Sequence, residues 1–405
     1  MLDVRASAEG QHGVTTSSGP GSVLGEWSDG VSIRRYVPIL KGKMGELSAL
    51  EHAHPDVIEG CTPLLEVIGQ QADLVGQEDA DARGELIRRT TDKIVKAWPA
   101  NRPPLIVDAA DLDSRSADPD ANDGDGPGGE VPAARALVDS LAARGVRAIP
   151  VVRLTDPDEV FEALRESCAR DGVGAAIRLT PSDLDDSVLP LEQLLETRAQ
   201  SLGLSSPDLV DVVLDFGSVT DENALSMAAR LGRFLVNDLT RRPWRTAAVG
   251  GGAFPPDLSK VAPNTIGVVP RLDKQLWQRL NGVQAGRPLD FVDYAVTNPL
   301  LPVGGAFAAP PQLRYTTDDA WLVMKGRRQD RLGHNQFFHI CLAIAQHQGA
   351  AFDPTLSWGD SRIQDAALSV TTRVVGPGNA ATWRAIATAH HLAWVVRSLR
   401  DRDEP

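Results

Sequence analysis

The chain has 405 residues, of which 42% are hydrophobic and 23% are charged, enough for one large domain or two ordinary ones around a sizeable core. Its formal net charge of −13 opposes nonspecific binding to nucleic acids and to anionic membranes, although it allows a local basic pocket. The three cysteines, Cys61, Cys168 and Cys341, are far apart, which argues against a disulfide framework and a CxxC zinc motif and fits a reducing compartment.

The sequence predicts a cytoplasmic protein without a membrane span. No run of residues approaches the ~20 apolar residues that cross a bilayer. Residues 1–33 are rich in glycine and serine and lack the apolar core of a signal peptide, so we interpret them as a flexible tail.

Short apolar runs alternate with helical patterns over residues 34–300, at a spacing of roughly 30 residues. Eight such runs predict an α/β fold, a (β/α)8 TIM-like barrel, with a doubly wound open sheet as the alternative. No GxGxxG motif follows an early strand, which argues against a dinucleotide site. The predicted strands cover residues 36–40, 62–68, 104–108, 148–154, 174–179, 209–216, 246–249 and 291–296, and helices are predicted between them.

Two segments depart from this alternation. Residues 117–129, rich in Asp, Gly and Pro, predict a disordered insertion in a loop that follows a strand. Residues 301–405 predict a mostly helical C-terminal appendage, which either packs on the barrel or closes over its rim. Its predicted elements are a hairpin formed by 313–315 and 321–326, and helices at 336–347, 363–368 and 382–399.

The tract YVPILKGKMGEL, at residues 36–47, resembles the opening of the phage-type "beta protein" family. Further marks of the resemblance are PLLEV at 63–67, Leu214-Asp215, VDY at 292–294, SWGD at 357–360, Trp383 and His390-His391. They extend from residue 36 to about residue 396. The resemblance implies a fold and a context in bacterial genomes and mobile elements, often near defence genes, but it implies no reaction.

Several predicted strands end in a charged residue: Glu66, Asp108, Arg153, Arg178 and Asp215. A charge at the end of a buried strand is costly unless it reaches a mouth of the barrel. Parallel strands aim their carboxyl ends at one face, where barrel enzymes carry their active sites. We therefore predict that any functional site lies at the C-terminal rim.

The cations of this rim could hold an anion, because arginine pairs bidentately with phosphate or carboxylate. Glycines at the end of the seventh strand could let the backbone approach a phosphate closely. The predicted ligand-binding residues are Lys41, Lys43, Glu46, Arg153, Arg178, Arg271, Gly250 and Gly251.

Three rim carboxylates, Glu66, Asp108 and Asp215, are candidate ligands for Mg²⁺ or Mn²⁺, which prefer hard oxygen donors. No other cofactor is indicated. The sequence has no HxH metal motif, no GxSxG nucleophile elbow at a strand end and no P-loop, so no catalytic residue is identified.

Three interpretations of the rim remain open. Its charges could pair with one another and be purely structural. They could bind an anionic small molecule, or a phage- or operon-encoded protein in a phage-defence or mobile-element system, or the C-terminal helices could bind such a protein instead. They could also form a metal-dependent hydrolase of phosphoesters, with water attacking a nucleotide-like substrate.

His390 and His391 are neighbours in the last predicted helix, where adjacent side chains point about 100° apart and cannot easily share one metal. We expect one imidazole to face the barrel and the other to face solvent. The SWGD tract predicts a tight turn in which Asp360 or Ser361 caps the next helix.

Overall fold

The structure, a computed structural model, describes residues 35–68, 79–113, 131–184, 189–282, 287–300 and 309–403. The predicted tail at 1–33 and the predicted insertion at 117–129 lie outside the described residues. The predictions for those two segments therefore stay predictions.

Eight parallel strands close into a barrel, as predicted. The last of them in the chain, β9, pairs with both β7 and β1 and so completes the ring. The barrel strands are β1 Tyr36–Leu40, β2 Leu64–Glu66, β3 Leu105–Asp108, β4 Ala148–Val152, β5 Ala175–Leu179, β6 Val210–Ser218, β7 Thr246–Gly252 and β9 Asp290–Asp293.

Alternate residues of each strand point into the barrel and out toward the helices. The inward residues form one separate apolar cluster, which includes Ile39, Leu64, Ile106, Val151, Ala176, Val213 and Val292. Two residues beyond each of these, the same alternation brings Lys41, Glu66, Asp108, Arg153, Arg178, Asp215 and Tyr294 to the C-terminal rim. The polar rim is thus a direct consequence of the two-residue period of a strand.

Helices surround the barrel. Among them, α8 begins after Asp221, whose carboxylate accepts hydrogen bonds from the backbone N–H groups of Asn223 and Ala224. No helix in the described residues combines the length and apolarity needed to cross a bilayer. The helices are α1 Met44–Glu51, α2 Pro55–Gly60, α3 Asp79–Ala97, α4 Ala110–Asp113, α5 Ala133–Ala142, α6 Asp158–Asp171, α7 Leu191–Ser201, α8 Glu222–Leu239, α9 Leu272–Asn281, α10 Gln336–Gln348, α11 Trp358–Leu368 and α12 Ala380–Asp403.

A second, antiparallel sheet joins the barrel segment to the C-terminal part. Its order is β10 Gln312–Thr316, β11 Ala320–Lys325 and β8 Ile266–Pro270. The first two strands form the predicted hairpin. The sequence predicts β8 only as part of a long connection, because its partner strand lies fifty or more residues away in the chain. The C-terminal part is therefore attached to the barrel by shared hydrogen bonds.

Both consecutive histidines of α12 are fully buried, so the prediction that one faces solvent is wrong. His390 contacts Asp360 through Nδ1, at 2.9 Å from Oδ1, and the carbonyl oxygen of Thr316 through Nε2, at 2.8 Å. His391 contacts Thr316 Oγ1 through Nδ1 and Asp293 Oδ2 through Nε2, at 2.9 Å each. Both faces of α12 near these residues are covered, by α11 and the hairpin on one side and by the barrel wall on the other.

The cap of α11 also differs from the prediction. Ser357 is the N-cap residue, and its Oγ accepts a hydrogen bond from the backbone N–H of Asp360 at 3.1 Å. The Asp360 carboxylate accepts from Ser357 Oγ at 2.6 Å and faces His390. The SWGD tract and the histidine pair therefore belong to one buried polar network.

We expect Gly250→Ala to lower the free energy of unfolding by about 1–3 kcal/mol, because a Cβ there would lie 2.0 Å from the carbonyl oxygen of Val292 on the paired strand. Gly84→Ala is the control, since this exposed helical glycine has nothing within 4 Å and its replacement should stabilise by about 0.5–1 kcal/mol. Urea unfolding of both variants measures the difference. Equal effects would contradict the packing reason for Gly250.

Candidate functional site

The centre of the rim is Arg178, and every N–H of its guanidinium donates to a rim side chain. Nη1 donates to Glu66 at 3.0 Å and to Asp108 at 2.7 Å. Nη2 donates to Asp215 and to the hydroxyl of Tyr294, both at 2.7 Å, and Nε donates to Asp215 at 3.2 Å. Arg178 is only 5% exposed, so these bonds exchange little with water. It has no donor left for a ligand.

The charges around Arg178 are mutually stabilised. Burial alone would lower the pKa of Arg178, but Asp215 and the neighbouring acidic groups raise it well above its ordinary value. Burial would raise the pKa of Asp108, but Arg178 and Arg153 outweigh burial and lower it. The Arg178 guanidinium and the Asp108 carboxylate are therefore favoured in their ionised forms.

The three carboxylates predicted as metal ligands are brought together, but around a guanidinium. Both oxygens of Asp108 and both oxygens of Asp215 accept hydrogen bonds from protein groups. Among the residues that the structure describes, no group of three or more His, Cys, Asp or Glu side chains is arranged to hold a metal ion. A Mg²⁺ or Mn²⁺ site stays a prediction, and it would require Arg178 to leave.

Two further cations complete this layer. Lys41 Nζ donates to the carbonyl oxygen of Pro299 and lies 4.0 Å from Glu66, and burial lowers its pKa. Arg153 Nη2 lies 2.8 Å from Asp108, with 26% of its side chain exposed. We call the set Lys41, Glu66, Asp108, Arg153, Arg178 and Asp215 the Arg178 ring. Its three positive and three negative charges balance, as a structural role requires.

The other predicted ligand residues are placed differently. Arg271 lies outside the barrel wall, where it contacts Asp273 at 2.8 Å and Asp293 at 3.1 Å and is 5.3 Å from the ring of Trp321. Gly250 and Gly251 are buried in β7, where the carbonyl oxygens of Val292 and Gly217 leave no room for a Cβ. Strand packing accounts for these glycines without a phosphate.

A second charged group lies beside the ring, where β1 leads into α1. Lys43 is exposed, and its backbone N–H donates to the buried Glu46 carboxylate at 3.2 Å. Arg384 of α12 packs against this turn of α1, since a Cβ at Gly45 would lie 2.8 Å from the Arg384 Cβ. Arg314 of β10 donates to the carbonyl oxygen of Val296, which follows β9. We call Lys43, Glu46, Arg314 and Arg384 the basic cluster.

The basic cluster is short of negative charge. In the described part of the chain, Arg384 has neither a hydrogen-bond acceptor nor an ion-pair partner. Burial lowers its pKa, and Glu46 is the acidic group that opposes this effect. Burial and the positive charge of Arg384 lower the pKa of Arg314 well below its ordinary value. Burial in turn raises the pKa of Glu46, so this nearby carboxyl balances the two arginines poorly.

Sequence reasoning found Lys43 and Glu46 but missed Arg314, Arg384 and Tyr294. Tyr294 lies two residues beyond the inward Val292, so strand alternation could have identified it. Arg314 and Arg384 reach the rim only because the hairpin and α12 pack against β9 and α1, and no spacing in the sequence signals that approach.

The chain is similar to one family of known proteins. A family model described as Beta protein matches residues 36–397. No curated protein matches the chain. Among solved structures, one similar chain is the type I 3-dehydroquinate dehydratase from Clostridium difficile with covalently modified comenic acid. The identity is 13%, the match covers 66% of this chain and 88% of that chain, and the TM-score is 0.34, which carries no argument about function.

Proposed function

The chain belongs to the Beta protein family, and on that premise we propose that it is a binding protein that holds an anionic, phosphate-bearing ligand at the C-terminal rim of its barrel. The ligand would bind at the basic cluster, beside the Arg178 ring. This is the side of the rim where β1, β9, the hairpin and α12 meet.

The observation that carries the proposal is Arg384, a half-buried guanidinium without a partner in the described residues, next to Arg314. Removing a charge from water is costly unless an opposite charge or hydrogen bonds compensate it. A phosphate group could accept bidentate hydrogen bonds from one guanidinium and oppose the charge of the other. Lys43, exposed at the start of α1, could contact the same anion.

The resemblance to phage-type proteins supports a proposal about the biological context. A phosphorylated small molecule and a phosphorylated segment of a phage- or operon-encoded protein offer the same chemistry to the basic cluster. We propose a role in phage defence or in a mobile element, in which binding rather than turnover is the primary event.

Metal-dependent hydrolysis ranks behind binding. The carboxylates that it needs already accept the N–H groups of Arg178. A metal ion would have to displace a buried guanidinium that makes five hydrogen bonds, and the displaced charge would lose these partners at a high energetic cost.

We expect Arg384→Gln to weaken anion binding at least tenfold, because a charge-assisted bidentate contact is lost. The measurement is thermal unfolding with inorganic phosphate, nucleotides and sugar phosphates. A compound at 100 times its dissociation constant should stabilise the wild type by about 2.7 kcal/mol. Without ligand, the variant should unfold at the same or a higher temperature, since a like charge beside Arg314 is removed.

Arg400→Gln is the matched control, since Arg400 is an exposed arginine of the same helix, 3.9 Å from Asp56. It should leave the ligand response unchanged. The proposal fails if no phosphate compound shifts the wild type, or if the shift survives in Arg384→Gln.

A further inference from the structure

The outer face of α8 carries apolar side chains that nothing in the described residues covers. Met227, Leu231 and Phe234 are 76%, 39% and 72% exposed. They are spaced four and three residues apart, so they form one line along the helix. The opposite face of α8 is buried on the barrel through Leu225, Ala229 and Val236, so the exposed line does not result from a loosely packed helix. We call these three residues the α8 stripe.

Two arginines flank the α8 stripe. Arg230 and Arg233 are exposed, and in the described residues neither has an ion-pair partner. From Asn223 to Asn237 the helix carries no acidic residue, and Asp238, which follows on the face of the stripe, is paired with Arg241 at 3.4 Å. In a chain with a net charge of −13, this face is therefore a local positive patch around an apolar centre.

We propose that the α8 stripe docks an acidic amphipathic helix of another protein. Apolar anchors spaced three and four residues apart are how helices recognise one another across a groove or face. Methionine, phenylalanine and arginine are enriched at protein interfaces, and buried aromatic anchors often contribute much of the binding energy. Carboxylates on the incoming helix would pair with Arg230 and Arg233 and fix its register.

The same charges argue against two other occupants. A second copy of this chain would meet α8 through a two-fold axis, which would bring its arginines against Arg230 and Arg233. A nucleic acid would be attracted by the arginines but would find one aromatic ring, Phe234, for base stacking, and it would be repelled by the acidic chain as a whole. The α8 stripe lies on the outer wall of the barrel, so this proposal is independent of anion binding at the rim.

The test uses two synthetic helical peptides of about 18 residues, long enough to match α8. Both carry leucine at the same positions, spaced three and four residues apart. At the flanking positions, one peptide carries glutamate and the other carries lysine. Fluorescence anisotropy with the full chain measures binding. We expect the glutamate peptide to bind at least tenfold more tightly than the lysine peptide. Binding of the glutamate peptide should be at least tenfold weaker in Phe234→Ser and in the double variant Arg230→Glu, Arg233→Glu.

Leu368→Ser is the matched control, because Leu368 is an exposed apolar residue of a different helix, α11. It should not change binding, and all variants should keep the wild-type unfolding temperature because the replaced side chains are exposed. Equal binding of both peptides, or of neither, overturns the proposal. So does a Phe234-dependent dimer in sedimentation, which would assign the stripe to a second copy, or displacement of the peptide by a single-stranded oligonucleotide.

Discussion

Replacing Arg178 by alanine is expected to lower the free energy of unfolding by about 3–5 kcal/mol, because removing one partner of a buried ion pair leaves the others uncompensated. Glu66, Asp108 and Asp215 would lose the guanidinium that contacts each of them at 2.7–3.0 Å. Urea unfolding at pH 7 measures the loss. The deficit should shrink at acidic pH, because the pKa of Asp108 is lowered in the fold and the stability from its pairing with Arg178 is lost as the pH falls.

Arg170→Ala provides the comparison. Arg170 also contacts two carboxylates, Asp139 at 2.7 Å and Asp171 at 2.6 Å, but 44% of its side chain is exposed. Solvent screens such pairs, so the expected loss is below about 1 kcal/mol. Similar losses in the two variants would show that the Arg178 ring is not a buried electrostatic unit.

Replacing Asp293 by asparagine is also expected to cost about 3–5 kcal/mol at pH 7. One oxygen of Asp293 accepts from the Tyr36 hydroxyl at 2.7 Å and the Ala295 backbone N–H at 2.9 Å. The other accepts from Arg271 at 3.1 Å and contacts His391 at 2.9 Å. In the variant, the NH2 group of the amide would replace one of these two oxygens and would point at N–H or O–H donors. Neither orientation of the amide therefore restores the hydrogen bonds of the carboxylate.

The pH dependence of this loss has a definite sign. Burial alone would raise the pKa of Asp293, but His391 and Arg271 outweigh burial and lower it to about 2. The carboxylate therefore contributes about 2 kcal/mol that is fully present above pH ~4 and is lost as the pH falls to about 2. The difference in the free energy of unfolding between wild type and Asp293→Asn should therefore decrease as the pH falls from about 4 to about 2.

Burial also lowers the pKa of His391, so the imidazole is favoured as neutral in the fold. The contribution of the neutral imidazole to stability is present above pH ~6.5. It is lost as the pH falls through the lowered pKa, in the same direction as the contribution of Asp293.

Asp365→Asn is the control for Asp293→Asn, since Asp365 pairs with Arg362 at 3.5 Å on an open helix surface. This substitution should lower the free energy of unfolding by less than about 1 kcal/mol. A difference in unfolding free energy between wild type and Asp293→Asn that stays constant from pH 5 to pH 2 would contradict the lowered pKa of Asp293.

The barrel was predictable because its strands obey a local rule. Eight continuous apolar runs, five of which end in a charge, indicate both the strands and the end at which they carry polar groups. The same rule placed Glu66, Asp108, Arg178 and Asp215 at one rim. It could not reveal that Arg178 would occupy the space between the carboxylates, since that depends on the shear of the closed barrel.

The predictions that failed, and the site residues that were missed, have a common physical cause. Their positions depend on contacts between segments that are far apart in the chain. Arg271 follows an apolar run, as the rim residues do, but that run is β8, which pairs with β11 outside the barrel. One of His390 and His391 was expected to face solvent, because a helix alone does not show what covers it. Arg314 and Arg384 become neighbours only when the hairpin and α12 are both in place.

The contact between Tyr36 and His391 joins residues 355 positions apart, nearly the full length of the chain. During synthesis at 5–20 residues per second, the first barrel strand therefore waits roughly 20–70 seconds for the histidine that covers its outer face. Until then its tyrosine hydroxyl lacks this partner, although the edge of β1 can already pair with β9 once residues 290–293 have been made. α12, which is made after all eight barrel strands, is thus the helix that covers the outer face of the first of them, and that face lacks this cover throughout the synthesis of the barrel.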